Sequence, residues 1–264
     1  MSVTLPGMPE LSLSGEETRE RLLEAARLAN VGRIVPSVAH EMSTPLAAIA
    51  LRAESLEGAL GDPQRPAPAE KLTRYLQAIG EETQRCKLLL STLQEFARRP
   101  DATPGPIDLA ALCRAALRLV HHEAMRGQVQ LRLQLQEPLP AIDGHSVRVG
   151  HALLSLLLNA IDASPSGAAV VLSAAADAGG VVVSVADEGA GLAEAARARL
   201  FEPLASTHPP DRAPGLGLMA CRTIAEAHGG SVTFAPGGAR GCRVELRLPS
   251  RHTQLRGSGL AERA

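Results

Sequence analysis

The chain has 264 residues, enough for one large domain or two modest ones, and its 45% hydrophobic and 21% charged content is the balance of a globular protein. Aromatics are only 2% (three Phe, one Tyr, no Trp), so the core is expected to be aliphatic, and a ring platform for single-stranded nucleic acid is excluded. With 27 Lys and Arg against 28 Asp and Glu, the net charge of −1 supplies no field toward nucleic acid or an anionic membrane. Residues 1–15 lack a basic segment followed by an apolar run and read as a flexible leader rather than a signal peptide. Cys86, Cys113, Cys221 and Cys242 form no CxxC or Cys/His cluster, which suits free thiols in a reducing compartment. The most apolar stretch, residues 168–186, is broken by Asp177, Gly179 and Gly180 and falls short of the about 20 residues of a membrane span. The expectation is a soluble, cytoplasmic protein with no membrane span, reaching a membrane only through a partner.

Residues 16–100 are expected to be helical. One helix runs from Glu16 to Leu60, a loop with three prolines follows (GDPQRPAPAE), and a second helix covers about Glu70 to Arg99. In the second, Leu72, Leu76, Ile79, Thr83, Cys86, Leu90, Leu93 and Ala97 recur at spacings of four and three, a heptad seam. In the first, Leu28, Val31, Val35, Val38, Met42, Leu46, Ile49, Ala53, Leu56 and Leu60 do nearly the same. A lone hairpin covers two such stripes poorly, so two hairpins are expected to pair as a four-helix bundle in a homodimer. His40 lies about 160° around the helix from Val38 and Met42, which puts it in solvent. It is either an ordinary surface histidine or a nucleophile usable at neutral pH. Glu41 is adjacent and able to take up a proton, and Thr44 lies one turn on. Thr44 stands where H-E-x-x-H would need a second histidine, which disfavours a zinc protease. Pro45 is expected to bend the helix.

Residues 101–106 read as an interdomain linker, 107–249 as a second domain and 250–264 as a disordered tail. Strands are expected at Val129–Leu135 and Val181–Val185, helices near Leu109–Met125, Ser146–Ala163 and Leu216–Ala227. There is no G-x-x-x-x-G-K-[ST] loop. Asn159 interrupts an apolar helix, as a structural polar plug or as an amide oxygen for Mg²⁺. Asp187 ends a strand before Gly189 and Gly191, as a tight turn or as an acceptor for an exocyclic amine with room for a flat ring. Gly215 and Gly217 precede a helix, where free N–H groups favour phosphate.

The string AHEMSTPLAAI (Ala39–Ile49) resembles the H box of two-component sensor histidine kinases. Asn159, the DEGAG turn, FEP (Phe201–Pro203) and GLGL (Gly215–Leu218) followed by HGG resemble, in order, the N, G1, F and G2 boxes of Bergerat-type ATPase domains. The resemblance implies an α+β protein: a two-helix hairpin dimerising into a four-helix bundle, then an α/β-sandwich ATP-binding domain. It implies that His40 is the phosphoacceptor, Glu41 its acid–base partner, and Thr44 part of the element that dephosphorylates a response regulator. Asn159 would hold Mg²⁺, Asp187 would read the adenine, and Gly215 and Gly217 would cradle the phosphates of ATP. Asp162, Gly189, Gly191, Leu216 and Leu218 would complete the nucleotide site. Phe201 and Thr207 would sit in a short mobile lid. The implied activity is ATP-dependent autophosphorylation of His40 and transfer to an aspartate on the receiver domain of a separate response regulator.

Four positions depart from the family pattern: Ser155 for a first N-box asparagine, Ala213 for the first G2 glycine, His208 for a lid lysine, and Pro36 one turn before His40. An interior helix proline costs about 3 kcal/mol. Ser155, Ala213 and Pro36 leave a second expectation open, a degenerate histidine kinase acting as a dimeric nucleotide-binding scaffold for a regulator.

Overall fold

The structure, a computed structural model, describes residues 15–61, 67–98, 103–191, 216–236 and 241–250. Two long helices, α1 (Gly15–Leu60) and α2 (Ala69–Ala97), form the hairpin. Then come β1 (Gly105–Ile107), α3 (Leu109–Arg126), β2 (Gln130–Leu135), β3 (Ile142–Gly144), α4 (Ser146–Ala163), β4 (Ala169–Asp177), β5 (Gly180–Ala186), α5 (Gly217–Ala227), β6 (Ser231–Pro236) and β7 (Cys242–Pro249). The five-stranded sheet has the order β2-β4-β5-β7-β6, with β2 parallel to β4 and the other pairs antiparallel. Its register aligns Leu135, Ala174, Val183, Leu246 and Val232 in one row across the strands, and Val170, Leu172, Val181, Val185 and Leu248 are buried on the same face. Period-two alternation of aliphatics thus gives one apolar face, which α4 covers; each fully buried Leu or Val contributes about 1.5–3 kcal/mol. Residues 168–186 form the β4–β5 hairpin, turning at Ala178 and Gly179 (φ 97°).

Asp108 starts α3 by accepting a hydrogen bond from the Ala111 N–H at 2.9 Å, a helix N-cap. The linker expectation needs correction. Gly105–Ile107 is not free chain but pairs antiparallel with Ile142–Gly144. Pro104–Gly105–Pro106 read as a linker because proline donates nothing to a ladder, yet a short two-stranded edge pair tolerates it.

The hairpin seam also differs in detail. Cys86, Leu89, Thr92 and Phe96 are the buried residues of α2, whereas Leu76 and Leu90 of the expected seam are exposed. On α1, Val38 is buried but Leu28, Val35, Leu46 and Leu60 are exposed. Both helices carry apolar residues on buried and on exposed faces, so apolarity alone does not separate the two. Helix α1 runs unbroken through Pro36 and Pro45, so neither proline ends it. It is also the helix, among the described residues, with the length and apolarity to cross a membrane, which narrows the expectation that no segment reaches that size.

The hairpin joins the second domain through Phe96. Its ring lies edge-on to His151 of α4, at 6.0 Å between centroids, and a Cβ at Gly150 would come within 2.8 Å of it. The His151 Nε2–H donates to the Phe96 carbonyl at 2.7 Å, and burial pushes the imidazole down to about 4 from 6.5. The unfolded chain therefore binds a proton that the folded chain refuses. This contribution is complete above about pH 6.5 and is lost as pH falls toward 4, on the order of 3 kcal/mol. Urea midpoints measured from pH 7 to 4 are expected to fall more steeply for the native protein than for His151→Gln, which keeps a donor for Phe96 but does not titrate.

Candidate functional site

The site is assembled on α4, the most buried helix, with thirteen buried residues between Val147 and Ile161. Its few half-exposed positions past the first turn are Asn159 and Asp162, one turn apart on one face. Across from them is the start of α5. A Cβ at Gly217 would lie 3.4 Å from the Ser155 Cβ and 3.7 Å from the Asn159 Nδ2, so glycine lets the α5 N-terminus approach both side chains. Leu216 and Leu218 flank it, Leu216 buried and Leu218 packed on the core.

At the end of β5 Asp187 is 8% exposed. Its Oδ1 accepts from the Gly189 N–H at 2.9 Å and the Cys242 N–H at 3.2 Å. Burial pushes the carboxyl above its ordinary value, and the two backbone donors oppose the shift. A Cβ at Gly189 would sit 2.4 Å from the Ala163 carbonyl oxygen, while Gly191 has φ 74°. The turn thus folds against the end of α4, and the glycines are required by contact and by backbone. This donor set fits a nucleotide: a held carboxylate for an amine, backbone open to a flat ring, and an amide beside a helix N-terminus for phosphate. Phe201, Thr207 and Gly215 lie outside the described residues.

His40 is exposed, as its helical phase requires. Glu41 is half-buried, with one carboxylate oxygen, Oε1, buried and unpartnered among the described residues, and Thr44 is exposed. The structure does not bring His40 to the nucleotide residues. Its ring packs on His122 of α3 at 4.5 Å between centroids, tilted by 43°. Nor is the Asp162 carboxylate open: Arg33 of α1 binds it through both terminal nitrogens at 2.7 and 2.6 Å. Ser155, the N-box departure, accepts a hydrogen bond from the Asn30 amide at 2.8 Å.

Sequence reasoning missed Asn30, Arg33, Ser37 and His122. The first three and His40 recur at spacings of three, four and three, so a signal existed, but a polar helix row reads first as solvated surface. It also missed Gly241 (φ 86°), where a Cβ would fall 1.9 Å from the Asp187 carbonyl oxygen.

Fold and site together define an ATP-binding domain of the Bergerat type attached to a helical hairpin bearing an exposed histidine. Residues 144–252 match the family of histidine kinase-, DNA gyrase B- and HSP90-like ATPases, and residues 30–101 match the His Kinase A (phospho-acceptor) domain. The C4-dicarboxylate transport sensor protein DctB of Rhizobium meliloti is 32% identical over 226 residues, 84% of this chain and 35% of that protein. The sensor histidine kinase ZraS of Escherichia coli K12 is 28% identical over 231 residues, 88% of this chain and 48% of that protein. Among solved structures, full-length ShkA in complex with AMPPNP is similar with a TM-score of 0.51 and 26% identity, over 78% of this chain and 46% of that one. The chain belongs to the two-component sensor histidine kinases. It spans between about one quarter and one half of the length of the curated relatives it matches.

Gly241→Ala is expected to destabilise the folded state by more than the about 1–2 kcal/mol of a left-handed alanine, because the new methyl also meets the Asp187 backbone. Urea denaturation measures the loss. A loss below 1 kcal/mol would contradict this close approach.

Proposed function

We propose that the chain is an ATP-dependent protein-histidine kinase that phosphorylates His40 and passes the group to an aspartate on the receiver domain of a response regulator. The observation that carries this reading is an exposed imidazole on a hairpin helix, joined to a domain in which Asn159, Asp187 and Gly217 present complementary groups for a nucleotide. A ring nitrogen of His40 attacks the γ-phosphorus of ATP, the bond to the bridging oxygen breaks, and ADP leaves. Glu41 takes up the imidazole proton as the N–P bond forms. Asp187 holds the purine amine, with Gly189 and Gly191 giving the ring access. Gly215, Leu216, Gly217 and Leu218 frame the phosphates at the α5 N-terminus, and Phe201 and Thr207 belong to the lid. Asn159 would offer its amide oxygen to Mg²⁺, which when bound neutralises phosphate charge. Positioning and electrostatics supply most of the rate. Thr44, one turn past His40, orients water when the regulator is dephosphorylated.

Residues 16–100 form the dimerisation and phosphoacceptor domain in this reading, and 107–249 the ATP-binding domain. The exposed Leu46, Leu51, Leu60, Leu76, Leu88 and Leu90 of the hairpin pack against a second copy. Both domains work in the cytoplasm, where ATP is available. The most apolar part of α1, residues 34–51, contains His40 and Glu41, and its aliphatics serve packing against α2 and the second copy.

Incubation with γ-labelled ATP and Mg²⁺ is expected to leave acid-labile label on the native protein and none on His40→Gln. Asn159→Ala is expected to slow labelling by roughly tenfold or more, the cost typical of disturbing a metal shell. Equal label on the native protein and His40→Gln overturns the assignment of the phosphoacceptor.

A further inference from the structure

The polar row on α1 has partners at every step. Arg19 Nη2 bonds Glu226 of α5 at 2.9 Å, and Glu20 meets Arg148 of α4 at 3.0 Å. Ala26 packs with Leu216 and Ala220 at the start of α5. Asn30 donates to Ser155, and Arg33 clamps Asp162 and lies 3.9 Å from Glu123 of α3. The Ser37 hydroxyl donates to Glu123 at 2.5 Å, and His40 ends the row on His122. Between these contacts Ile34 and Val38 are buried in the common core.

Two consequences follow from this placement. Asn30 bonds Ser155 and Ala26 packs on Leu216 and Ala220, beside the place where Ser155, Asn159 and Gly217 converge and phosphates would approach the N-terminus of α5. The same docking holds His40 on α3 and not at that place. Nucleotide contacts to Ser155 and Asp162 therefore compete with the bonds that Asn30 and Arg33 make to the same side chains.

We propose that residues 19–40 of α1 act as an intramolecular competitor for the nucleotide site, latched by Arg33 on Asp162 and by Ser37 on Glu123, so that nucleotide loading and release of His40 are one event. This rests on the kinase reading for its purpose but not for its measurement. A site open in only a fraction of molecules binds with an apparent Kd raised by the inverse of that fraction. If the latch holds about nine-tenths of the population, removing it tightens apparent affinity about tenfold.

The test uses the full chain and a fluorescent ATP analogue. Arg33→Ala and, independently, the pair Ser37→Ala with Asn30→Ala are expected to bind the analogue three- to tenfold more tightly than the native protein. Circular dichroism and melting curves confirm that each variant is folded. Adding the analogue to the native protein is expected to speed amide hydrogen exchange in residues 19–40. Unchanged or weaker binding in both folded variants, or exchange in residues 19–40 that slows on nucleotide addition, overturns the proposal. Tighter binding in both variants without label on His40 would support the competitor and refute the kinase reading.

Discussion

Helix α4 carries two obligations that conflict, and their reconciliation organises the molecule. Nearly all of its surface is taken by the sheet, α3, α5 and the hairpin, so its backbone cannot move without disturbing all four. Yet near its C-terminal end it must present polar side chains. Asn159 and Asp162 escape full burial because they lie on one face, spaced by three, near the end of α4 that meets the Asp187 turn. The part of the candidate site that α4 carries is held in place by packing on all sides of the helix.

The aliphatic composition bears on the same point. With three Phe in the chain, the ring of Phe96 is the aromatic anchor, among the described residues, of the joint between α2 and the second domain. It works by shape: Gly150 supplies the hollow, and the neutral His151 imidazole closes the edge while bonding the Phe96 carbonyl. A charged imidazole would be unwelcome there, which is why burial holds it deprotonated. A similar device recurs at His228, whose Nδ1–H donates to the Ile224 carbonyl while Nε2 accepts from the His145 N–H. His228 uses both ring nitrogens, whereas His151 uses Nε2 alone and its Nδ1 is buried without a partner among the described residues.

Much of this was legible from the amino acids. Helices α3, α4 and α5 follow the apolar period to within one residue of their expected bounds, because each has one covered face and a clear stop. The Asp187 turn was legible as a turn, because two closely spaced glycines follow a buried strand, while the residues alone left open whether the carboxylate serves the turn or a ligand. The β1–β3 pair was not, since three residues carry no period and two of the neighbours are proline. The division of the hairpin stripes failed for a different reason. Leu76 and Leu89 are equally apolar but lie on different faces of α2, and the tertiary packing decides which face is buried.

The polar row of α1 sets the harder case, because its residues are unexceptional one at a time. Asn30 and Arg33 gain meaning only from Ser155 and Asp162, more than a hundred residues later. Seen together they also account for a departure from the family pattern. An asparagine at 155 would bring its own donor toward the Asn30 amide and a longer side chain toward Gly217, whereas the serine hydroxyl accepts from Asn30 in the small space left beside the α5 N-terminus. The serine at 155 is thus the residue on which α1 rests at this end of α4. Such a contact can still be displaced: Arg33 and Asp162 keep 21% and 12% of their side-chain surface exposed, so water reaches the pair, and the cost of desolvating both charges offsets much of what its short distances suggest. A strap that must yield to a ligand is better held by several contacts of this kind than by one that water never reaches.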